Sequence, residues 1–145
     1  MPMVEFAAVV DGDAQRVWNV VKQFGEIQHW HPAIVSSHIE GGGAERVGCI
    51  RTLSLTDGAV VRERLLSVDD SALSLSYRFE EAPLPLDNYV ASVKLVALTG
   101  QDKTLLSWSA SFDVREPNDA EHYQALIRSL IVDGHNGLQA LLAQH

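Results

Sequence analysis

Two stretches of the chain alternate cleanly between apolar and polar residues. From 73 to 79 the odd positions hold Leu73, Leu75, Tyr77 and Phe79, against Ser74, Ser76 and Arg78. From 106 to 112 the even positions hold Leu106, Trp108, Ala110 and Phe112, against Ser107, Ser109 and Ser111. Strand side chains point alternately to opposite faces, so each run predicts a strand with one apolar face. Strand-like runs cover 33–40, 46–55, 59–68, 72–80, 88–98 and 104–114. They are separated by the turn-forming stretches EGGGAE, TDG, DDS, APLPLD and TGQDK. Links this short pair sequence neighbours as antiparallel hairpins. A further strand, 3–10, alternates weakly around Val4, Phe6, Ala8 and Val10.

The period turns helical in two places. After DGD, where Asp11 or Asp13 can cap free amides, Val17, Val20, Val21 and Phe24 recur at helical spacing beside Trp18, and Gly25 supplies a stop. The following FGEIQHWHP predicts a short second helix, which Pro32 limits by pushing His31 toward an extended conformation. Near the end, Asn118 with Glu121 has the spacing of a capping box. Tyr123, Leu126, Ile127, Leu130, Ile131, Leu138, Leu141 and Leu142 then form one apolar stripe. The stripe predicts an amphipathic helix of about 25 residues. Gly134 and Gly137 lie inside it, each costing about 1 kcal/mol relative to alanine. Either they let the helix approach another backbone or they break it. The predicted fold is α+β, an antiparallel sheet burying one face against the final helix.

Parity also sorts the less regular strands. Lys94 and Ser92 mark the outer face of 88–98, leaving Tyr89, Ala91, Val93, Leu95 and Ala97 inside. With Arg62 and Arg64 outside, Glu63 turns inward with Val61 and Leu65, and Arg51 shares a face with Cys49, Leu53 and Leu55. Buried charges must be paired or hydrated. The pattern therefore leaves three readings open: a buried ion pair, a polar floor under a wet cavity, or a bulge that turns both groups to solvent.

Composition narrows the class. With 145 residues, 46% of them hydrophobic, the chain fits one domain over 1–145 that can hold a core and still enclose a cavity. The single cysteine, Cys49, rules out an internal disulfide and paired-cysteine zinc motifs, and a reducing compartment suits it. It reads as a small buried hydrophobe, not a nucleophile, since no basic activator is assignable. His29 and His31 could offer two metal ligands, but no third histidine stands at a matching spacing, so neither metal nor cofactor is expected. The formal charge of −8 would repel a nucleic-acid backbone. The start MPMVEFAAVVDGDA has no secretory pattern, and no stretch approaches the ~18 apolar residues of a membrane span, so a soluble cytoplasmic protein without membrane insertion is expected. EGGGAERVG lies between two strands and so reads as a flexible hairpin near an opening, not a phosphate cradle.

The stretches VWNVVKQFGEIQHWHPAI, IEGGGAERVGCIRTLSLTDG and VRERLLSVDD resemble the START-like, helix-grip (SRPBCC) superfamily of polyketide cyclase/dehydrase and lipid-transport proteins, in particular its bacterial branch. The chain is also similar to the plant abscisic-acid receptors in Glu63-Arg64-Leu65, Asp69-Asp70 and Asn88-Tyr89. The resemblance spans essentially the whole chain. It implies a seven-stranded antiparallel sheet wrapped round a long C-terminal helix, two short helices after the first strand, and a cavity between. It also implies ligand-facing roles for Glu63 and Tyr89, with walls from Tyr77, Phe79, Leu53 and Leu55. His31 stands where the receptors hold a ligand-pairing lysine, and Trp108 replaces a second inward acid. TDGAV and EEAPLPL replace the receptors' gate and latch, so no hormone-receptor role is implied.

Three functions are thereby in play. The first is binding of a hydrophobic or amphipathic small molecule, with walls from Tyr77, Phe79, Tyr89, Trp108 and the helix stripe, oriented by Arg51, Glu63 and His31. The second is a cyclase/aromatase with Glu63 or His31 as base and Arg51 or Tyr89 as donor, which assigns no catalytic residue firmly. The third is a protein-interaction module, for which a homodimer is one form.

Overall fold

A computed structural model describes residues 2–144. Strand β1 (Met3–Asp11) leads into helix α1 (Ala14–Val21) and a kinked 3-10 helix (Phe24–His29). There follow β2 (Ile34–Ile39), β3 (Ile50–Leu55), β4 (Val60–Asp69), β5 (Ser74–Glu81), β6 (Leu86–Ala97), β7 (Lys103–Val114) and the long helix α2 (Ala120–Leu142). The strands form one seven-stranded sheet in the order β1-β7-β6-β5-β4-β3-β2, every pair antiparallel. The hairpin chain from β2 to β7 follows from the short links. The pairing of β1 with β7, Val4 opposite Ala110, closes the sheet across the length of the sequence.

The concave face packs on α2 around Leu65, Leu106, Phe112, Ile127, Ile131 and Leu138, all almost fully buried. Polar contacts fix the helix along β1: Arg128 Nη1 donates to Glu5 O at 3.1 Å, and Gln139 Oε1 accepts from Asp11 N at 2.9 Å. Arg16 Nη2, on α1, donates to Leu142 O at 2.6 Å and satisfies one of the carbonyls that a helix end leaves open. Asp13 caps α1 by accepting from Arg16 N, and buried Trp18 donates its Nε1 proton to Asp70 Oδ1 at 2.8 Å.

Several local expectations are corrected. Gly25 does not stop α1, which ends at Val21 with Lys22 as its cap. It lies buried in the 3-10 helix, where a β-carbon would come within 3.0 Å of Ile39 Cγ1, so the position needs space more than conformational freedom. The Asn118–Glu121 capping box does not form, because Pro117–Asp119 makes a 3-10 turn that shifts the helix start to Ala120, with no side-chain cap. Ala97 is exposed, since β6 leaves the covered part of the sheet there and enters the turn at Thr99 and Gly100. The hairpin of EGGGAERVG is exposed throughout its glycines and contributes no residue to the cavity wall, so it is not beside the opening.

Candidate functional site

The glycines of α2 determine how the end of the molecule closes. A β-carbon at Gly134 would meet Trp108 Cζ3 at 2.7 Å and His31 Cδ2 at 2.9 Å. Without them α2, unbroken from Ala120 to Leu142, lies directly on the turn after the 3-10 helix. Of the two readings of this pair, close approach is the one observed.

Between α2 and the strands lies a cavity of about 160 Å³. The nine residues His31, Arg51, Leu53, Leu55, Glu63, Tyr77, Phe79, Tyr89 and Trp108 all contribute to its wall. Alternation brings seven of them in from β3 to β6: Arg51, Leu53 and Leu55, then Glu63, then Tyr77 and Phe79, then Tyr89. Trp108 comes from β7, and the helix supplies Leu126, Ile127, Leu130 and Ile131. Sequence reasoning did not find Ile27, Ala33 and Ile34 around the turn, or Asp57, Ala59, Pro83 and Leu84 from two loops. Asp57 and Pro83, from the β3–β4 and β5–β6 loops, are exposed and mark where the wall meets solvent.

Arg51 and Glu63 stand opposite each other on β3 and β4. Both are buried, at 4% and 6% exposure, so the reading in which both reach solvent is wrong. A bulge does occur in β4, but its register shifts fall on the seam with β5, at Arg62/Glu63 and Leu65/Ser67. The seam with β3 stays continuous and keeps the pair face to face. Arg51 Nε donates to Glu63 Oε1 at 2.8 Å, Nη2 lies 2.7 Å from the same oxygen, and Nη1 donates to Phe24 O at 2.9 Å. Outward Arg62 and Arg64 pair with Glu40 and Glu80 instead.

His31 is buried and uses both ring nitrogens. Nε2 donates to Leu130 O at 2.8 Å, and Nδ1 accepts from Ala33 N at 3.2 Å. Those two bonds require the neutral ring with its proton on Nε2. Burial pushes the His31 pKa below its ordinary value, in the same sense. In this arrangement the ring joins α2 to the turn and has no nitrogen left for a ligand. Neighbouring Trp30 is buried against Trp108, ring centroids 6.1 Å apart. His29 points to solvent and pairs with Glu26 at 2.7 Å. Among the described residues no group of three His, Cys, Asp or Glu side chains is placed to hold a metal ion.

The aromatic wall is ordered by stacking. Tyr89 lies on Phe79 with centroids 3.8 Å apart and planes 8° from parallel. Trp108 Nε1 donates to Tyr77 Oη at 3.2 Å. Burial raises both tyrosine pKa values, and the Glu63 carboxylate adds to the rise, so both phenols stay protonated. Cys49 is only half-buried, not the fully buried residue expected, and partial burial raises its thiol pKa, which makes it a poor nucleophile.

Comparison with known sequences adds to this geometry. The profile of the family described as "Polyketide cyclase / dehydrase and lipid transport" matches residues 1–143. The chain belongs to that family. Among relatives of the polyketide cyclase/dehydrase and lipid transport domain is the abscisic acid receptor PYL10 of Arabidopsis thaliana, 31% identical over 127 residues, which cover 84% of this chain and 69% of the receptor. The solved structure of the protein XoxI from Bacillus cereus is similar with a TM-score of 0.87 at 27% identity, covering 100% of this chain and 99% of that one. Norcoclaurine synthase from Thalictrum flavum shares the fold, with a TM-score of 0.79 at 19% identity over 99% of this chain and 87% of that one. The helix-grip fold is thus common to this chain and these two solved structures. Among the described residues no helix is long and apolar enough to cross a membrane.

Proposed function

We propose that residues 1–145 form one domain that binds a hydrophobic or amphipathic small molecule in the cavity between sheet and α2. The observation that carries this reading is a partly enclosed, mostly apolar space holding one buried ion pair, Arg51–Glu63, among aromatic walls. Apolar walls with a few fixed polar groups are the usual make-up of a small-molecule site. The family membership and the likeness to an abscisic acid receptor support the same reading. The volume of about 160 Å³ is below the roughly 300–1,000 Å³ of drug-sized sites. A lipid or polyketide would therefore require the β3–β4 and β5–β6 loops to move apart.

Native mass spectrometry of freshly purified protein, followed by melting curves with a panel of lipids, polyketides and flavonoids, tests the proposal. A ligand at 100 times its Kd stabilises by about 2.7 kcal/mol, a shift of several degrees. Leu53→Trp, which fills the space, should abolish that shift. No co-purifying molecule and no shift with any compound would reject the reading.

One observation favours turnover as a second reading. Both bonds from Arg51 end on Glu63 Oε1, so Oε2 has capacity to accept a proton from a bound substrate, as a cyclase base must. Unchanged turnover in Glu63→Gln would remove this residue from any such chemistry.

A further inference from the structure

The two buried charges of the cavity, Arg51 and Glu63, cancel, and the further carboxylate of the wall, Asp57, stands at its exposed rim; both limit what can enter. Arg51 directs Nε and Nη2 to Glu63 and Nη1 to Phe24 O. Its guanidinium is covered by the Phe24 ring at 3.9 Å and the Tyr77 ring at 4.9 Å. His31 is neutral and doubly bonded to the protein. A carboxylate entering this space would lose its water and come to lie beside Glu63, with no unmatched positive charge to receive it.

One polar atom that these bonds leave unmatched is an acceptor. Neither bond from Arg51 reaches Glu63 Oε2. Among the described residues the buried side-chain atoms cut off from both partner and solvent are Gln28 Oε1, Trp30 Nε1, Ser37 Oγ and His135 Nε2, and Glu63 Oε2 is not one of them. The oxygen is therefore reached from the cavity that Glu63 lines.

We infer that the cavity selects a neutral single-ring molecule carrying a hydroxyl, of the phenol class, which donates its O–H to Glu63 Oε2. The inference rests on the binding function proposed above and specifies its ligand. Size follows from the volume: 160 Å³ is close to the roughly 150 Å³ of an apolar cavity that takes benzene. Tyr77, Phe79, Tyr89 and Trp108 supply faces and edges suited to an aromatic ring. A hydroxyl bonded to an ionised carboxylate makes one charge-assisted bond, among the stronger kinds.

The test is a matched series on the full wild-type chain. p-Cresol, toluene and 4-methylbenzoate are titrated at neutral pH while the methyl resonances of Leu53 and Ile127 are followed by NMR. We expect p-cresol to bind at least about tenfold more tightly than toluene, and 4-methylbenzoate to bind more weakly than toluene. In Glu63→Gln the advantage of p-cresol over toluene should shrink; if that variant does not fold, the wild-type series decides alone. Equal affinity for p-cresol and toluene, or 4-methylbenzoate binding as tightly as p-cresol, overturns the inference. Binding of a fatty acid or flavonoid but of none of the single-ring probes overturns the inference and leaves the binding function standing. Binding of nothing at all overturns both.

Discussion

A β-carbon at Gly137 would stand 1.9 Å from the carbonyl oxygen of Trp30. Helix α2 and the HWHP turn are therefore in backbone contact, and the obstacle at position 137 is a rigid main-chain atom. Alanine is the better helix former by about 1 kcal/mol, so propensity alone predicts a more stable Gly137→Ala protein. The contact predicts the opposite, because overpacking typically costs about 1–3 kcal/mol and here no side chain can turn away. A contact of 1.9 Å with a main-chain atom puts the cost at the upper end of that range, so we expect a net loss of about 2 kcal/mol and a melting temperature lower by several degrees. A thermal unfolding curve decides the sign.

The Arg51–Glu63 pair should show strong coupling. Removing one partner leaves a buried charge, which costs about 3–5 kcal/mol, whereas replacing both by apolar residues is often neutral. Arg51→Met and Glu63→Leu are each expected to lower stability by that amount, and the double variant to recover most of the loss. Urea unfolding of the four proteins measures the coupling; additive losses would show that the pair is not held as described.

His31 gives stability an acid-side slope. Burial lowers its folded-state pKa from the ordinary value of 6.5, partly offset by the bond to Leu130 O and by Asp133. Between the unfolded and the lowered folded value, the unfolded chain binds more protons. Stability is thus complete above pH 6.5 and declines as the pH falls toward the folded pKa. His31→Gln can donate to Leu130 O and accept from Ala33 N without titrating. Its melting temperature should fall less than that of the wild type between pH 7.5 and pH 5.5, and parallel profiles would remove His31 as the cause.

Phe79 and Tyr89 line both the inner cavity and an open groove outside it. Removing the Phe79 ring should join the two spaces. We expect Phe79→Ala to release a bound probe about tenfold faster, in keeping with the general finding that contact changes act mostly on dissociation. It should also admit a two-ring probe such as 2-naphthol. Saturation-transfer and line-shape NMR measure both effects.

Which parts of this were legible in the sequence depended on how locally each feature is encoded. The inward faces of β5 and β7 could be read because serines alternate with large apolar residues, and parity is a property of neighbours. Parity also placed Arg51 and Glu63 on facing sides but left their burial open, since a single bulge inverts a face; here the bulge lies on the other seam. The α1 stop and the α2 cap were misread because Gly25 is chosen for contact with Ile39, and Pro117 makes a turn of its own. Asp57 and Pro83 carry no periodic signal, and they reach the cavity only through the hairpins that bear them. The spent nitrogens of His31 were equally hidden, because the Leu130 carbonyl that one of them bonds lies 99 residues away.

The pairing of β1 with β7 sets an order of events during synthesis. Asp11 lies opposite Lys103, and Val4 opposite Ala110, so the first strand has no neighbour in the sheet until about a hundred further residues have been made. It waits with its apolar residues uncovered while the hairpins β2 to β7 assemble from local contacts. Helix α2 emerges after β7 and lies along that same first strand. On a ribosome the cavity therefore cannot exist before α2 arrives to close it, and any ligand must meet sheet and helix already assembled.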